Sequence, residues 1–267
     1  MTLLFALLLS FQSSVPPEGF EARVYLQTET RPLSLYVLPA AANSRKTGAA
    51  VVFFFGGGWV SGSIRQFEDQ ARYLASRGYT AVLVDYRVKN RDGSTPFDSV
   101  ADAQAAVGWV RAHAREWSVS PHRIFAAGGS AGGHLAIETA IRPSLQGVDS
   151  RPDALILYNP VMDTTESGYG YKMLGERALE ISPVHRLRRG MPPAIVFHGR
   201  SDHTVPFANA EEFERRMKAL GNRCELVPYD GADHGFFNSP SFRKGSSAQI
   251  YQDVLQRTER FLESLQH

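Results

Sequence analysis

Arg123-Ile124-Phe125-Ala126-Ala127-Gly128-Gly129-Ser130-Ala131-Gly132-Gly133-His134-Leu135-Ala136-Ile137-Glu138 passes from one pattern to another within sixteen residues. Its first part is a continuous apolar run, suited to a strand buried on both faces. Its last part has the composition of a buried helix. Between them stands Gly128-Gly129-Ser130-Ala131-Gly132, a Gly-x-Ser-x-Gly turn. A strand–turn–helix junction of this kind lifts the serine onto a strained elbow, and the glycines relieve crowding between strand and helix. The pentapeptide alone is weak evidence, because the chain has 23 glycines and an ordinary Gly-rich βα turn would look the same. The strand before it and the helix after it give it weight.

Working outward, the same alternation recurs. Apolar runs at 51–55, 81–85, 124–127, 154–158 and 194–197 suit central parallel strands. Residues 23–27 and 33–38 alternate in polarity and suit an opening hairpin at a sheet edge. Residues 225–229 suit an outer strand, because Pro228 is tolerated at an edge. Helical periodicity appears at 67–76, 96–116, 207–220 and 250–265. The second of these begins on Pro96, and the third carries Glu211→Arg215 and Glu212→Arg216 pairs before Gly221. Alternating strands and helices predict an α/β fold: a mostly parallel sheet of about eight strands with helices on both faces. In such sheets active groups gather beyond the carboxyl ends of the strands.

A serine hydroxyl needs a base to take its proton. The acid and the histidine are expected after Ser130, each in a loop following a strand. Asp202 follows the strand at 194–197, and His234 follows the strand at 225–229. Asp163, after 154–158, is a rival acid. Asp233 sits beside His234 in sequence and would have difficulty reaching its ring. His134 lies one turn down the helix and points away from the strand tips, and His198 precedes the acid and is expected to pack or bond beneath its loop. Acyl transfer also needs donors for an oxyanion. Gly56, Gly57 and Gly58 follow the strand at 51–55 and expose backbone N–H groups there, with the N–H of Ala131 as the complementary donor.

These segments together resemble the α/β-hydrolase fold. They are closest to the bacterial serine esterases related to hormone-sensitive lipase, which include acetyl-xylan and feruloyl esterase-like members. The resemblance is carried by the glycine turn, Gly-Gly-Ser-Ala-Gly-Gly-His at 128–134, His-Gly-Arg-Ser-Asp-His-Thr-Val-Pro at 198–206 and Gly-Ala-Asp-His-Gly-Phe-Phe at 231–237. Asp85-Tyr86-Arg87 and the approach at 119–128 add to it, so that it spans about residues 48–240. It implies Ser130 as nucleophile, His234 as base and Asp202 as orienting acid. It also implies Gly57, Gly58 and Ala131 as oxyanion donors, and a two-step esterase that needs no metal or cofactor. Three departures bear on the pocket. Phe55 replaces the family's histidine before the glycines, Val88-Lys89-Asn90 replaces Ala-Pro-Glu, and the long N-terminal cap is missing. Trp59 and a short insertion at 161–190, with Tyr169, Tyr171 and Met173, are expected to line the pocket or, for the last three, equally to face the core.

Composition narrows the partners. Twenty-nine basic and 27 acidic residues leave a net charge of +2, without the basic stripe of a nucleic-acid binder. A single cysteine, Cys224, excludes an intrachain disulfide and a CxxC metal site. His198 and His203 lack a third ligand in register. The apolar run at 3–11 is far short of the ~20 residues that span a bilayer. Residues 1–14 therefore read as a secretory signal peptide, implying periplasmic or extracellular export, or else as a disordered leader on a cytoplasmic protein. Residues 20–267 read as a single α/β-hydrolase domain with little chain left for a lid. That predicts an accessible site for short-acyl esters of small molecules or carbohydrates. A serine peptidase or amidase with the same triad, or a non-catalytic binding protein on this fold, are the alternatives.

Overall fold

The computed structural model describes residues 15–141 and 149–265. The leader expected over 1–14 lies outside the described residues. Eight strands form one sheet in the order β1-β2-β4-β3-β5-β6-β7-β8. They are β1 (Glu21–Gln27), β2 (Pro32–Leu38), β3 (Ala50–Phe54), β4 (Thr80–Val84), β5 (Ile124–Gly129), β6 (Ala154–Tyr158), β7 (Ala194–Gly199) and β8 (Cys224–Tyr229). β1 and β2 form the expected antiparallel hairpin, and β2 joins β4 antiparallel. From β4 through β8 all pairings are parallel. Strands β3, β4, β5, β6 and β7 are buried at every residue, which is why each reads as an unbroken apolar run.

The helices are α1 (Glu68–Ser76), α2 (Lys89–Asp92), α3 (Pro96–His113), α4 (Ala131–Ile141), α5 (Tyr171–Leu174), α6 (Pro183–Arg186), α7 (Phe207–Ala219) and α8 (Ala248–Glu263). The chain steps from β3 toward the hairpin through α1, then back across β3 to β5 through α3. Right-handed crossovers taken in opposite directions place α1 and α3 on opposite faces. α4 and α7 follow the direction of α3, while α8 packs against α1. α3 starts as its sequence requires: Pro96 lies in the first turn, and Thr95 and Asp98 form a reciprocal capping box. On α7 one expectation changes. Arg215 and Arg216 both pair with Glu212, at 2.7 and 2.5 Å, so Arg215 reaches its i−3 rather than its i−4 neighbour.

Register decides where chemistry can occur. Gly129 pairs with Tyr158, Tyr158 with Phe197 and Gly199 with Tyr229, so the carboxyl ends of β5 and β6 lie level, and those of β7 and β8 lie level with each other two residues further on. The loops that leave them therefore meet. The Asp85-Tyr86-Arg87 segment ties down the neighbouring strand end. Asp85 accepts from Arg31 and Arg91 at 2.7 Å each, and Arg87 grips buried Asp102 at 2.7 Å. The Tyr86 hydroxyl donates to the Phe55 carbonyl at 2.6 Å, just before the glycine turn.

Candidate active site

At the end of β5 the backbone turns sharply at Ser130, whose φ of 54° is left-handed. That conformation is uncommon for a residue with a Cβ and points to a constrained position. The surrounding glycines are required by space. A Cβ on Gly128 would run into the Gly132 carbonyl, and one on Gly132 into the carbonyls of Phe54 and Phe55. Strand and helix thus pass at backbone distance, and the serine is left at the tip. Its N–H donates to the Tyr158 carbonyl at 2.9 Å, and its carbonyl accepts from Val161 and His134 at 3.1 Å each.

Three loops bring the partners together. Ser130 Oγ lies 2.9 Å from His234 Nε2, and His234 Nδ1 lies 2.7 Å from Asp202 Oδ2. The other Asp202 oxygen accepts the N–H groups of Thr204 and Val205, at 2.8 and 2.9 Å. Burial alone would raise the Asp202 carboxyl, but hydrogen bonds from His198, His234 and Val205 outweigh it and hold the group well below the usual carboxylate range. Ionised Asp202 can only accept, so His234 carries its proton on Nδ1 and turns a bare Nε2 toward Ser130. The asparagine after β6, Asn159, also meets this ring. Its Nδ2 is 3.1 and 3.2 Å from the two ring nitrogens, and its φ is 34°. An atom equidistant from both nitrogens would collide with Cε1 in the ring plane, so the amide lies over the imidazole face.

The other candidates are engaged elsewhere. Asp163 accepts from Thr165 N and Oγ1 at 2.8 and 2.6 Å and from Ser182 at 3.3 Å, within its own loop region. Asp233 forms a two-pronged pair with Arg243 at 2.9 and 2.6 Å. His134 is buried with Nε2 against the Ile181 carbonyl, 2.6 Å away. Cys224 is buried, and burial pushes its thiol up to about 12. Among the described residues no three His, Cys, Asp or Glu side chains cluster as metal ligands. No described helix is long and apolar enough to cross a membrane.

A cleft of about 360 Å³ opens over Ser130 and His234, walled by Gly57, Gly58, Tyr169 and Phe237. Gly57 and Gly58 have φ of 131° and 63°. The expectation that Trp59 lines this cleft is corrected. Its own φ is 59°, and the turn sends the ring inward, where it is fully buried with its edge on His134 at 5.0 Å between centroids. Tyr169 packs against it with the rings tilted by 40° and 5.9 Å between centroids, and presents its hydroxyl to the cleft over Gly58. Tyr171 and Met173 turn to solvent instead of the core.

The missing histidine before the glycines is replaced by other contacts. Phe55 stacks on Tyr86 at 4.1 Å, and the Gly56 N–H donates to Gln66 Oε1 at 2.6 Å. Gln66 in turn donates to Asn238 at 3.1 Å. Gln66 and Asn159 carry no local motif. Only the position of Asn159 directly after a central strand signalled it.

Comparison with known proteins fits this geometry. A family model described as the alpha/beta hydrolase fold matches residues 51–238. The chain belongs to the α/β-hydrolase fold family. Among the chain's relatives, esterase LipC of Mycobacterium tuberculosis is 28% identical over 80% of this chain and 60% of its own length. An acetylxylan esterase of Xylanibacter ruminicola is 27% identical over 78% of this chain and 45% of its own. The chain thus spans about half the length of these curated relatives. The apo form of Thermogutta terrifontis esterase 2 superimposes with a TM-score of 0.84 at 43% identity, covering 93% of this chain and 95% of that one. Structures of that esterase also exist with butyrate bound and phosphonylated by sarin.

Proposed function

We propose that this α/β-hydrolase is a serine carboxylesterase acting on short-acyl esters, carbohydrate-linked acetyl groups among them, with residues 20–267 as one catalytic domain. The observation that carries this reading is the unbroken line Ser130 Oγ–His234–Asp202, 2.9 and 2.7 Å in its two links, at the floor of an open cleft. Ser130 Oγ bonds to the ester carbonyl carbon while its proton passes to His234 Nε2. The carbonyl oxygen becomes an oxyanion facing the N–H groups of Gly57, Gly58 and Ala131. Collapse breaks the bond to the alcohol, which leaves with the proton from His234. Water, deprotonated by the same nitrogen, then attacks the acyl-serine; the bond from the acyl carbon to Oγ breaks, the acid leaves, and His234 returns the proton to Ser130 Oγ. Asp202 stays ionised throughout and stabilises the imidazolium.

The small cleft and the short 159–193 connection, which adds only α5, α6 and a 3-10 segment, support small acyl groups. The butyrate-bound state of the Thermogutta terrifontis esterase supports the same length class. A p-nitrophenyl ester series from acetate to dodecanoate should show kcat/KM highest at two to four carbons and falling beyond. Highest kcat/KM on dodecanoate, or faster turnover of aminoacyl amides than of acetate esters, would replace this reading with a lipase or a peptidase.

Gly57→Ala tests the oxyanion role. Its φ of 131° is strained for alanine, and the new Cβ would meet the Ser61 carbonyl. Displacing one oxyanion donor typically costs about 10²–10³ in kcat. That loss is expected on p-nitrophenyl acetate with KM little changed. An alanine variant with parental kcat would exclude Gly57 as a donor.

A further inference from the structure

We propose that His198 is a positioning residue of the triad: its Nε2–H holds the same Asp202 oxygen that His234 uses, and so fixes the acid and limits its pull on the base. The proposal rests on the triad reading given above. His198 sits in β7, four residues before the acid, with its side chain entirely buried. Its Nε2 lies 3.0 Å from the Val205 carbonyl and 3.3 Å from Asp202 Oδ2. Neither oxygen can donate, so Nε2 must carry the proton. Nδ1 is buried with no hydrogen-bond partner among the described residues. A histidine kept only for packing would be expected to satisfy both nitrogens or be replaced by an apolar ring, since a buried unpaired nitrogen is costly. Here one nitrogen is left without a partner while the other faces the acid. The ring is held by its contact with Phe207, 5.7 Å between centroids.

Asp202 thus accepts three hydrogen bonds and has a fourth N–H against it, that of His198, which is shared with the Val205 carbonyl. Thr204 N and Val205 N share Oδ1, while His234 Nδ1 and His198 Nε2 share Oδ2. Two donors on one oxygen compete for its charge. His198 steadies the carboxylate and at the same time weakens its hold on the imidazolium that forms at His234. The remaining groups around His234 do not supply this. Ser130 and Asn159 are neutral, and Asp233 is neutralised by Arg243. Removing the His198 donor should therefore do two things together. A less well placed acid lowers kcat, and a stronger Asp202–His234 pair moves the acidic limb of the kcat/KM profile to higher pH.

The test uses His198→Leu and His198→Gln in the full chain with p-nitrophenyl acetate. The leucine variant should lose about tenfold in kcat, a fraction of the ~10²–10⁴ that general-base catalysis supplies, with KM within about twofold. Its acidic limb should rise by about half a pH unit. Glutamine carries an N–H to the place of Nε2 and should restore most of both. A folded leucine variant with parental kcat and parental limb overturns the proposal, as does a folded glutamine variant as impaired as leucine. Should leucine prevent folding, ¹⁵N-histidine spectra of the wild-type protein at mildly alkaline pH decide. They should show His198 protonated on Nε2 and bare on Nδ1, and the opposite tautomer overturns the proposal. His234→Ala, measured alongside, separates the two failures: retained activity there refutes the triad, whereas the tautomer of His198 is read independently.

Discussion

Replacing Ser130 by alanine should lower kcat for p-nitrophenyl acetate by about 10⁶, with KM little changed. Removal of the nucleophile of such a triad costs about that much because its three members act as a unit. Without Oγ, the 2.9 Å contact to His234 has no nucleophile to activate. The cleft and the N–H groups of Gly57, Gly58 and Ala131 would remain, and in the proposed mechanism they would sustain a residual rate about 10³–10⁴ above water. Ser130→Gly serves as the control, because its φ of 54° suits glycine better than serine. Both variants should lose activity equally, which separates loss of the hydroxyl from any change in backbone strain. Steady-state kinetics with matched melting curves measure this. An alanine variant within 100-fold of the parent would show that the reaction does not pass through Ser130.

The sequence made the local features legible and left the distant contacts hidden. Unbroken apolar runs marked the central strands because those strands are buried on both faces. The elbow was visible because space at Gly128 and Gly132 admits no side chain. Loop order pointed to Asp202 and His234, which lie in line with Ser130 at 2.7 and 2.9 Å, since each follows a strand whose carboxyl end lies level with its neighbour's. Trp59 misled for the opposite reason. Adjacency to the glycine turn suggested a pocket wall, but side-chain direction there is set by a left-handed residue that no pattern reveals. Gln66 braces the glycine turn by holding Asn238 across 172 positions, and Asn159 meets His234 across 75. Contacts of that range arise from topology, and single residues of ordinary type carry no trace of them.

Asp202→Asn should lower kcat by about 10⁴ while leaving KM nearly unchanged, the size of effect seen when such an acid becomes an amide. The reason lies in protons and not in charge alone. Asparagine can place an N–H where the carboxylate now accepts from His234 Nδ1. The imidazole would then hold its proton on Nε2 and present an N–H to Ser130, which cannot take the serine proton. The N–H groups of Thr204 and Val205 would favour this outcome, because they keep the amide oxygen in the place of Oδ1 and leave the amide nitrogen for His234. The pH profile of the parent gives an independent check. The Asp202 carboxyl is held well below the usual range by His198, His234 and Val205 against the opposing effect of burial, so it stays ionised across the working range. The acidic limb should therefore report protonation of the base and not of the Asp202 carboxylate. Asp163→Asn provides the contrast. Asp163 bonds to Thr165 and Ser182, with His185 4.0 Å away, so its amide variant should keep kcat within about threefold, the level of a change remote from the chemistry. Equal losses from the two substitutions, or a larger loss at Asp163, would move the acid from the loop after β7 to the loop after β6.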